Sequence, residues 1–229
     1  MPKPPLRIQT TTLWDYPSQN YGKTMQGDQN YPGATPSYII WNLLMRYTKK
    51  NDLVVDPMCG SGTTIDVARE LGRKVLGYDI HPVRKDIFRA DARKLPLEDG
   101  KAALVFVDPP YGDNIKYSDE KKCIGAIKVR DPMFFREMEK VICEIHRILR
   151  KGGLVALFIS DYHSKKDGFE PVGFGLFNLM AGFFSPVEII SVVRHNKDLK
   201  KGNYHLAAEQ GNFFLRGFNY LFIMKKEKD

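Results

Sequence analysis

Short apolar runs and stretches of helical period follow one another along this chain. Leu53–Val55 reads as a strand, Thr63–Leu71 as a helix closed by Gly72, and Lys74–Tyr78 as the next strand. A short strand is expected at Asp86–Phe88. Ala103–Val107 is apolar without alternation, as in a strand covered on both faces. Phe134, Met138, Val141, Ile142, Ile145 and Leu149 recur at helical spacing and predict a long amphipathic helix over Asp131–Leu149, closed by Lys151-Gly152-Gly153. Leu154–Ile159 is the next strand, and Gly173–Phe183 a helix that Pro186 follows. Val187–Val193 and Asn219–Met224 make a terminal antiparallel pair, with Phe213, Phe214 and Phe218 expected in the core. Ahead of all this, Thr35-Pro36-Ser37 looks like a helix start, with Thr35 as cap and proline in the first turn.

Repeated β-α units imply right-handed crossovers and a mostly parallel, doubly wound α/β sheet with helices on both faces. Such sheets bind ligands beyond the carboxyl ends of their strands. Residues 1–34 are rich in Pro, Gly, Gln, Asn and Tyr without helical period, and are expected to wrap over a single domain at 35–229.

Composition narrows the picture only in part. The apolar share is 43% and the charged share 27%, ordinary for a globular protein. No apolar run approaches a membrane span, and the N-terminus lacks the apolar core of a secretion signal. The three cysteines (Cys59, Cys123, Cys143) are odd in number and widely spaced, so neither a disulfide framework nor a metal cluster is expected, and a cytoplasmic location is. A net charge of +8 favours attraction to phosphate backbones.

The candidate chemistry sits at strand ends. Asp56 closes the first strand and opens Pro57-Met58-Cys59-Gly60-Ser61-Gly62-Thr63-Thr64, a glycine turn leading into a helix N-terminus that suits a carboxylate or phosphate. It matches neither GxGxxG nor a P-loop. Asp79-Ile80 ends the second strand, where an acid can accept both hydroxyls of a ribose. Asp91-Ala92 follows the third, where a carboxylate can accept from an adenine amino group. An adenosine cofactor with a compact charged tail fits, and S-adenosylmethionine (SAM) meets that description. Asp108-Pro109-Pro110-Tyr111 ends the fourth strand. The Asp108 carboxylate and the Pro109 carbonyl can accept hydrogen bonds from a planar NH2, the two prolines fix that geometry, and Tyr111 offers a ring for stacking. Neither metal nor covalent nucleophile is required.

These motifs resemble those of the amino-methyltransferases of the N6-adenine/N4-cytosine class, over roughly residues 31–160. The resemblance equates Asp56–Thr64 with their motif I, Asp108–Tyr111 with motif IV, and Tyr31–Thr48 with motif X, which implies cofactor contacts from Tyr31 and Thr35. It also implies a Rossmann-like SAM-methyltransferase fold with a seven-stranded, mostly parallel sheet and a terminal antiparallel hairpin. Bacterial N4-cytosine DNA enzymes usually carry Ser where this chain has Asp108; aspartate is more typical of adenine-N6 and guanine-N2 enzymes. The layout is most similar to archaeal small-subunit ribosomal RNA N4-cytidine methyltransferases. No target-recognition domain is expected, which favours structured RNA, from ribosomal RNA or a small-subunit intermediate, acted on by a monomer. DNA adenine N6 or cytosine N4 and tRNA guanine N2 stay open, as do a vestigial SAM-binding assembly factor and protein glutamine methylation. Substrate contacts are expected from Asn114, Lys116 and Tyr117 in the long loop Gly112–Arg130. More are expected from the basic stretch Arg194, Lys200, Lys201, Tyr204 and His205, read as a hairpin loop between the last strands.

Overall fold

The computed structural model describes residues 6–28, 30–111, 122–164, 168–195, 199 and 201–227. In chain order it begins with β1 (Leu13–Trp14), α1 (Ser37–Tyr47), β2 (Leu53–Asp56), α2 (Thr63–Glu70) and β3 (Lys74–Asp79). There follow β4 (Phe88–Arg89), β5 (Ala102–Val107), a 3-10 turn at Ile124–Ala126, α3 (Pro132–Ile148) and β6 (Leu149–Ile159). The chain continues through β7 (Tyr162–Ser164), β8 (Gly168–Glu170), α4 (Val172–Ala181), β9 (Ser185–Val193), α5 (Gly202–Gln210) and β10 (Phe218–Lys225).

Central strands send successive side chains to opposite faces, and each face collects its own helices. Val55, Val105, Val107, Val155 and Leu157 join Phe134, Met138 and Ile145 of α3 and Leu176 of α4 in one core. Their neighbours Val54, Leu104, Phe106, Ala156 and Phe158 join Ile39, Ile40, Leu43 and Leu44 of α1 and Val67 of α2 in the other. Every residue of β5 is buried, as its unbroken apolar run predicts. Trp14, Tyr16 and Tyr21 are buried against the α1 face, where Tyr16 stacks on Tyr38 at 4.9 Å between centroids.

The main sheet has the order β1-β9-β10-β6-β5-β2-β3-β4. Its pairs are parallel except those of β10, which runs antiparallel to both β6 and β9. The expected α/β architecture with its terminal hairpin is present, with eight strands rather than seven. The additional one is β1, which pairs with β9 through only two residues. From β2 the order runs one way to β3 and β4 and the other way to β5 and β6. The carboxyl ends of β2 and β5 therefore flank a switch point, where a crevice opens. Among the described residues, no helix is long and apolar enough to cross a membrane.

Several local expectations are corrected. Thr35 does not cap α1: Pro36 occupies that position without a side-chain bond, and the Thr35 hydroxyl points elsewhere. The strand expected at Asp86–Phe88 lies at Phe88–Arg89, because Asp86 is held back by Arg84 and Arg69. Lys151-Gly152-Gly153 does not close α3. Leu149 already pairs with Ala102, the chain bulges out with Gly152 at φ 72°, and pairing resumes at Leu154. The connection from β9 to β10 is no plain hairpin loop, since it carries α5, a helix with no buried residue. The three phenylalanines expected in the core are not in it either: Phe214 is 84% exposed, Phe218 is exposed at the start of β10, and Phe213 is half-buried. Helix α5 and the segment carrying Phe214 both lie between the strands, so the apolar pattern of β9 and β10 does not extend to them.

Candidate functional site

A crevice enclosing about 900 Å3, open solvent included, lies at the switch point. Of the residues singled out from the sequence, it is lined by Tyr31, Thr35, Asp56, Cys59, Gly60, Ser61, Thr63, Thr64, Asp79, Ile80, Asp91, Ala92, Asp108 and Pro110. Four successive parallel strands thus deliver their acids to one hollow: Asp56 ends β2, Asp79 ends β3, Asp91 follows β4 and Asp108 follows β5.

The glycine turn is built around these acids. Asp56 accepts from the Met58 amide at 3.1 Å and from the Thr64 hydroxyl at 2.6 Å, tying strand end to helix start. Gly60 has φ 46°, and a Cβ there would lie 2.9 Å from the Tyr31 ring, so Tyr31 can close over the turn only because this residue is glycine. Gly62 does not line the cavity. It takes φ 83° as the residue before α2, and its missing Cβ makes room for the Arg84 guanidinium, which is clamped by Asp66 and Asp86.

Lone-pair accounting shows what each acid can still do. Asp79 accepts from the Gly60 amide through Oδ2 and from the His81 amide through Oδ1, both at 2.9 Å. Each oxygen keeps one lone pair, so two adjacent hydroxyls can still be received. Asp91 Oδ1 accepts from the backbone N–H and Nε of Arg93, and Oδ2 accepts from Arg93 Nη2 at 2.6 Å, which leaves Oδ2 one site for an amino group. Arg93 in turn contacts Glu137 on α3 and so holds the Asp91 loop against that helix. Both acids thus keep acceptor sites on the cavity wall.

Asp108 is the unusual group. Its Oδ2 accepts from the Thr35 hydroxyl at 2.6 Å, while Oδ1 has no hydrogen-bond partner among the described residues. Burial pushes its carboxyl up to about 7, against the opposing pull of the Thr35 hydrogen bond. Asp56 is likewise raised to about 7 by burial, opposed by Thr64 and Met58 and reinforced by the charges of Asp108 and Asp79. Burial, and after it the charges of Asp56 and Asp79, drive the Cys59 thiol up, which disarms it as a nucleophile. The Tyr31 phenol is also raised, by burial first and then by Asp79 and Asp108.

Pro109 is buried, and Pro110 faces the cavity. Tyr111 packs on the α3-side core, and its hydroxyl bonds with Ser160, the residue after β6. Arg194 donates to the same Ser160 at 3.2 Å. The expected basic patch is therefore divided. Arg194 turns in toward Ser160, whereas Lys201, Tyr204 and His205 belong to the α5 region, with the Lys201 ammonium 5.6 Å from the Tyr204 ring and His205 against the Leu199 carbonyl. Asn114, Lys116, Tyr117 and Lys200 lie outside the described residues. Lys122, from the long loop expected to bind substrate, lines the cavity, whereas Cys123 on the same wall, Ser160 and the Thr35–Asp108 bond were not legible beforehand, because each depends on contacts between distant segments.

Comparisons with known proteins agree with this layout. Residues 4–90 match a family model described as DNA methylase. A type II methyltransferase of Lactococcus lactis subsp. cremoris is 47% identical over 49 residues, 21% of this chain and 18% of that protein. The tRNA (guanine(10)-N2)-dimethyltransferase of Methanothermobacter thermautotrophicus is 27% identical over 148 residues, 58% of this chain and 40% of that protein. The chain thus spans less than half the length of each of these relatives. A SAM-dependent methyltransferase of Methanosarcina mazei superposes with a TM-score of 0.53 at 13% identity, over 82% of this chain and 98% of that one. The chain has the fold of the SAM-dependent methyltransferases, and its residues 4–90 carry the sequence pattern of the DNA methylase family.

Proposed function

We propose that the protein is a SAM-dependent methyltransferase acting on the exocyclic amine of a nucleobase, with cytidine N4 in structured RNA, from the small ribosomal subunit, as the substrate. The observation that carries this reading is Asp108 on the cavity wall, with one carboxylate oxygen pinned by Thr35 and the other without a hydrogen-bond partner among the described residues. Asp79 and Asp91 hold the lone pairs an adenosine requires, and the amides at the start of α2 suit a carboxylate. When bound, SAM supplies an electrophilic methyl group on a sulfonium. Asp108 Oδ1 accepts a hydrogen bond from the base NH2, which draws the nitrogen lone pair out of conjugation and aims it. The surplus amine proton then leaves to Asp108 or to water. Thr35 keeps the carboxylate from rotating, so the gain is orientation and preorganised charge rather than strong basicity.

The net charge of +8 supports a polyanionic substrate. A DNA amino group is the second reading, favoured by the DNA methylase match over residues 4–90. Incubation with methyl-labelled SAM and either total RNA or duplex DNA, followed by nucleoside mass spectrometry, separates the two. Label in N4-methylcytidine from RNA is the expected result. Label only in DNA adenine or cytosine would move the assignment to DNA, and no label in any nucleoside would refute base methylation.

A further inference from the structure

Beyond the cavity, past the carboxyl ends of β6 and β9, aromatic rings and guanidinium groups gather on one ledge. Phe214 is 84% exposed and Phe169 is 49% exposed. The Arg216 guanidinium lies 5.2 Å from the Phe169 ring centroid, and its Nη2 donates to the Phe214 carbonyl at 2.6 Å. His163 and Phe213 stack at 5.2 Å with planes 14° apart, joining the β7–β8 hairpin to the segment that precedes β10. Arg130 reaches the same hairpin through the Phe169 carbonyl at 3.1 Å.

A series of contacts runs from the ledge to Tyr111, the residue after Pro110 of the cavity wall. Tyr111 bonds with Ser160, and Arg194 donates to Ser160. The Arg194 amide in turn donates to the Gly217 carbonyl at 2.9 Å, and Arg216 is the next residue. We propose that this ledge binds unpaired nucleotides beside the methylated base, with Phe214 and Phe169 as stacking platforms and Arg216 and Arg130 facing phosphates. The proposal rests on the reading of the cavity as a base-methylation site.

Three features favour nucleotides over other occupants. Exposed rings interleaved with guanidinium groups suit flat bases joined by phosphates, since every base offers a π-face and every linkage a negative charge. The acids nearby are already engaged: Glu170 by Arg130 at 3.5 Å, and Asp161 by the Gly173 amide and the Tyr220 hydroxyl. A base that enters the cavity must leave its stack, which strips a stacking partner from each neighbour. The ledge replaces that partner at the point where the strand would emerge.

The test is fluorescence anisotropy of the full chain with a labelled twelve-nucleotide single strand, as RNA and as DNA of the same sequence, beside the matching duplex. Phe214→Ala and Phe169→Ala should each weaken single-strand binding about tenfold. Phe214→Trp should restore it, and duplex affinity should change little. SAM affinity by calorimetry should be unaltered in all three variants. Stronger binding of the RNA strand would identify RNA as the source of the nucleotides, and stronger binding of DNA the reverse. Unchanged single-strand affinity in both alanine variants would overturn the proposal. That result would leave base methylation intact, whereas a wild-type protein that binds strands through the ledge yet labels no nucleoside would refute the methylation reading alone.

Discussion

Thr35→Val tests whether the hydroxyl on Asp108 Oδ2 sets the working pH of the site. The substitution keeps shape and removes the donor at 2.6 Å. A hydrogen bond to an ionised acceptor is worth about 1.5–3 kcal/mol, or about 1 to 2 pH units in the carboxyl's titration. Asp108, held at about 7 with the bond present, should then titrate near pH 8 to 9 without it. At pH 7 the ionised fraction would fall from about half to between about a tenth and a hundredth, so kcat/KM should drop about 5- to 50-fold. The loss should shrink as the pH rises toward 9, because the variant then ionises as well. The assay is kcat/KM for labelled methyl transfer between pH 6 and 9.5, with SAM affinity measured in parallel and expected to hold. A variant profile that overlays the wild-type profile would refute the positioning role of Thr35.

Asp108→Ala should retain SAM binding within about threefold and lose at least about a hundredfold in transfer, as expected for a preorganised acceptor; near-normal turnover in a single-turnover assay would rule the role out. Asp56 and Asp108 both rise on folding from 3.8 to about 7. For a raised group the stability contribution is fully present below about pH 4 and is lost as the pH climbs through about 7, by at most about 4 kcal/mol for each group taken alone. Denaturant melts of the ligand-free protein should therefore show stability falling from pH 4.5 to 8, and Asp56→Asn should flatten that slope. A wild-type curve that rises over this range would contradict the buried-acid assignment. Gly62→Ala should cost at least about 1–2 kcal/mol from its left-handed backbone. Its Cβ would also meet Arg84 at 2.5 Å. The expected readout is a clearly lowered Tm with the Arg84–Asp66 pair loosened, and an unchanged Tm would show that the turn has another conformation open to it.

How much was legible beforehand depended on the range of the interactions. Periodicity placed β2, α2, β3, β5 and α3 within a residue or two, because each pattern reports burial on one or both faces of its own element. Asp56, Asp79, Asp91 and Asp108 could be gathered into one site from the sequence alone, since parallel strands all end at the same edge of a sheet. Elements whose residues face solvent were missed: α5 buries nothing, so no apolar stripe announces it, and Phe214 resembles a core residue in composition while standing in water.

By itself, then, the chain determined the strand-helix alternation and the chemistry at each strand end, because those follow from local periodicity and from fixed motif spacing. Only the tertiary structure decided what each carboxylate has left to give. Thr35, 73 positions from Asp108, occupies one of its oxygens, the other having no hydrogen-bond partner among the described residues, and Arg93 consumes most of Asp91. The same folding draws Ser160, Arg194 and the aromatic ledge up to Tyr111. Hydrogen-bond partnership and burial arise between segments far apart in sequence, and no pattern within either segment encodes them.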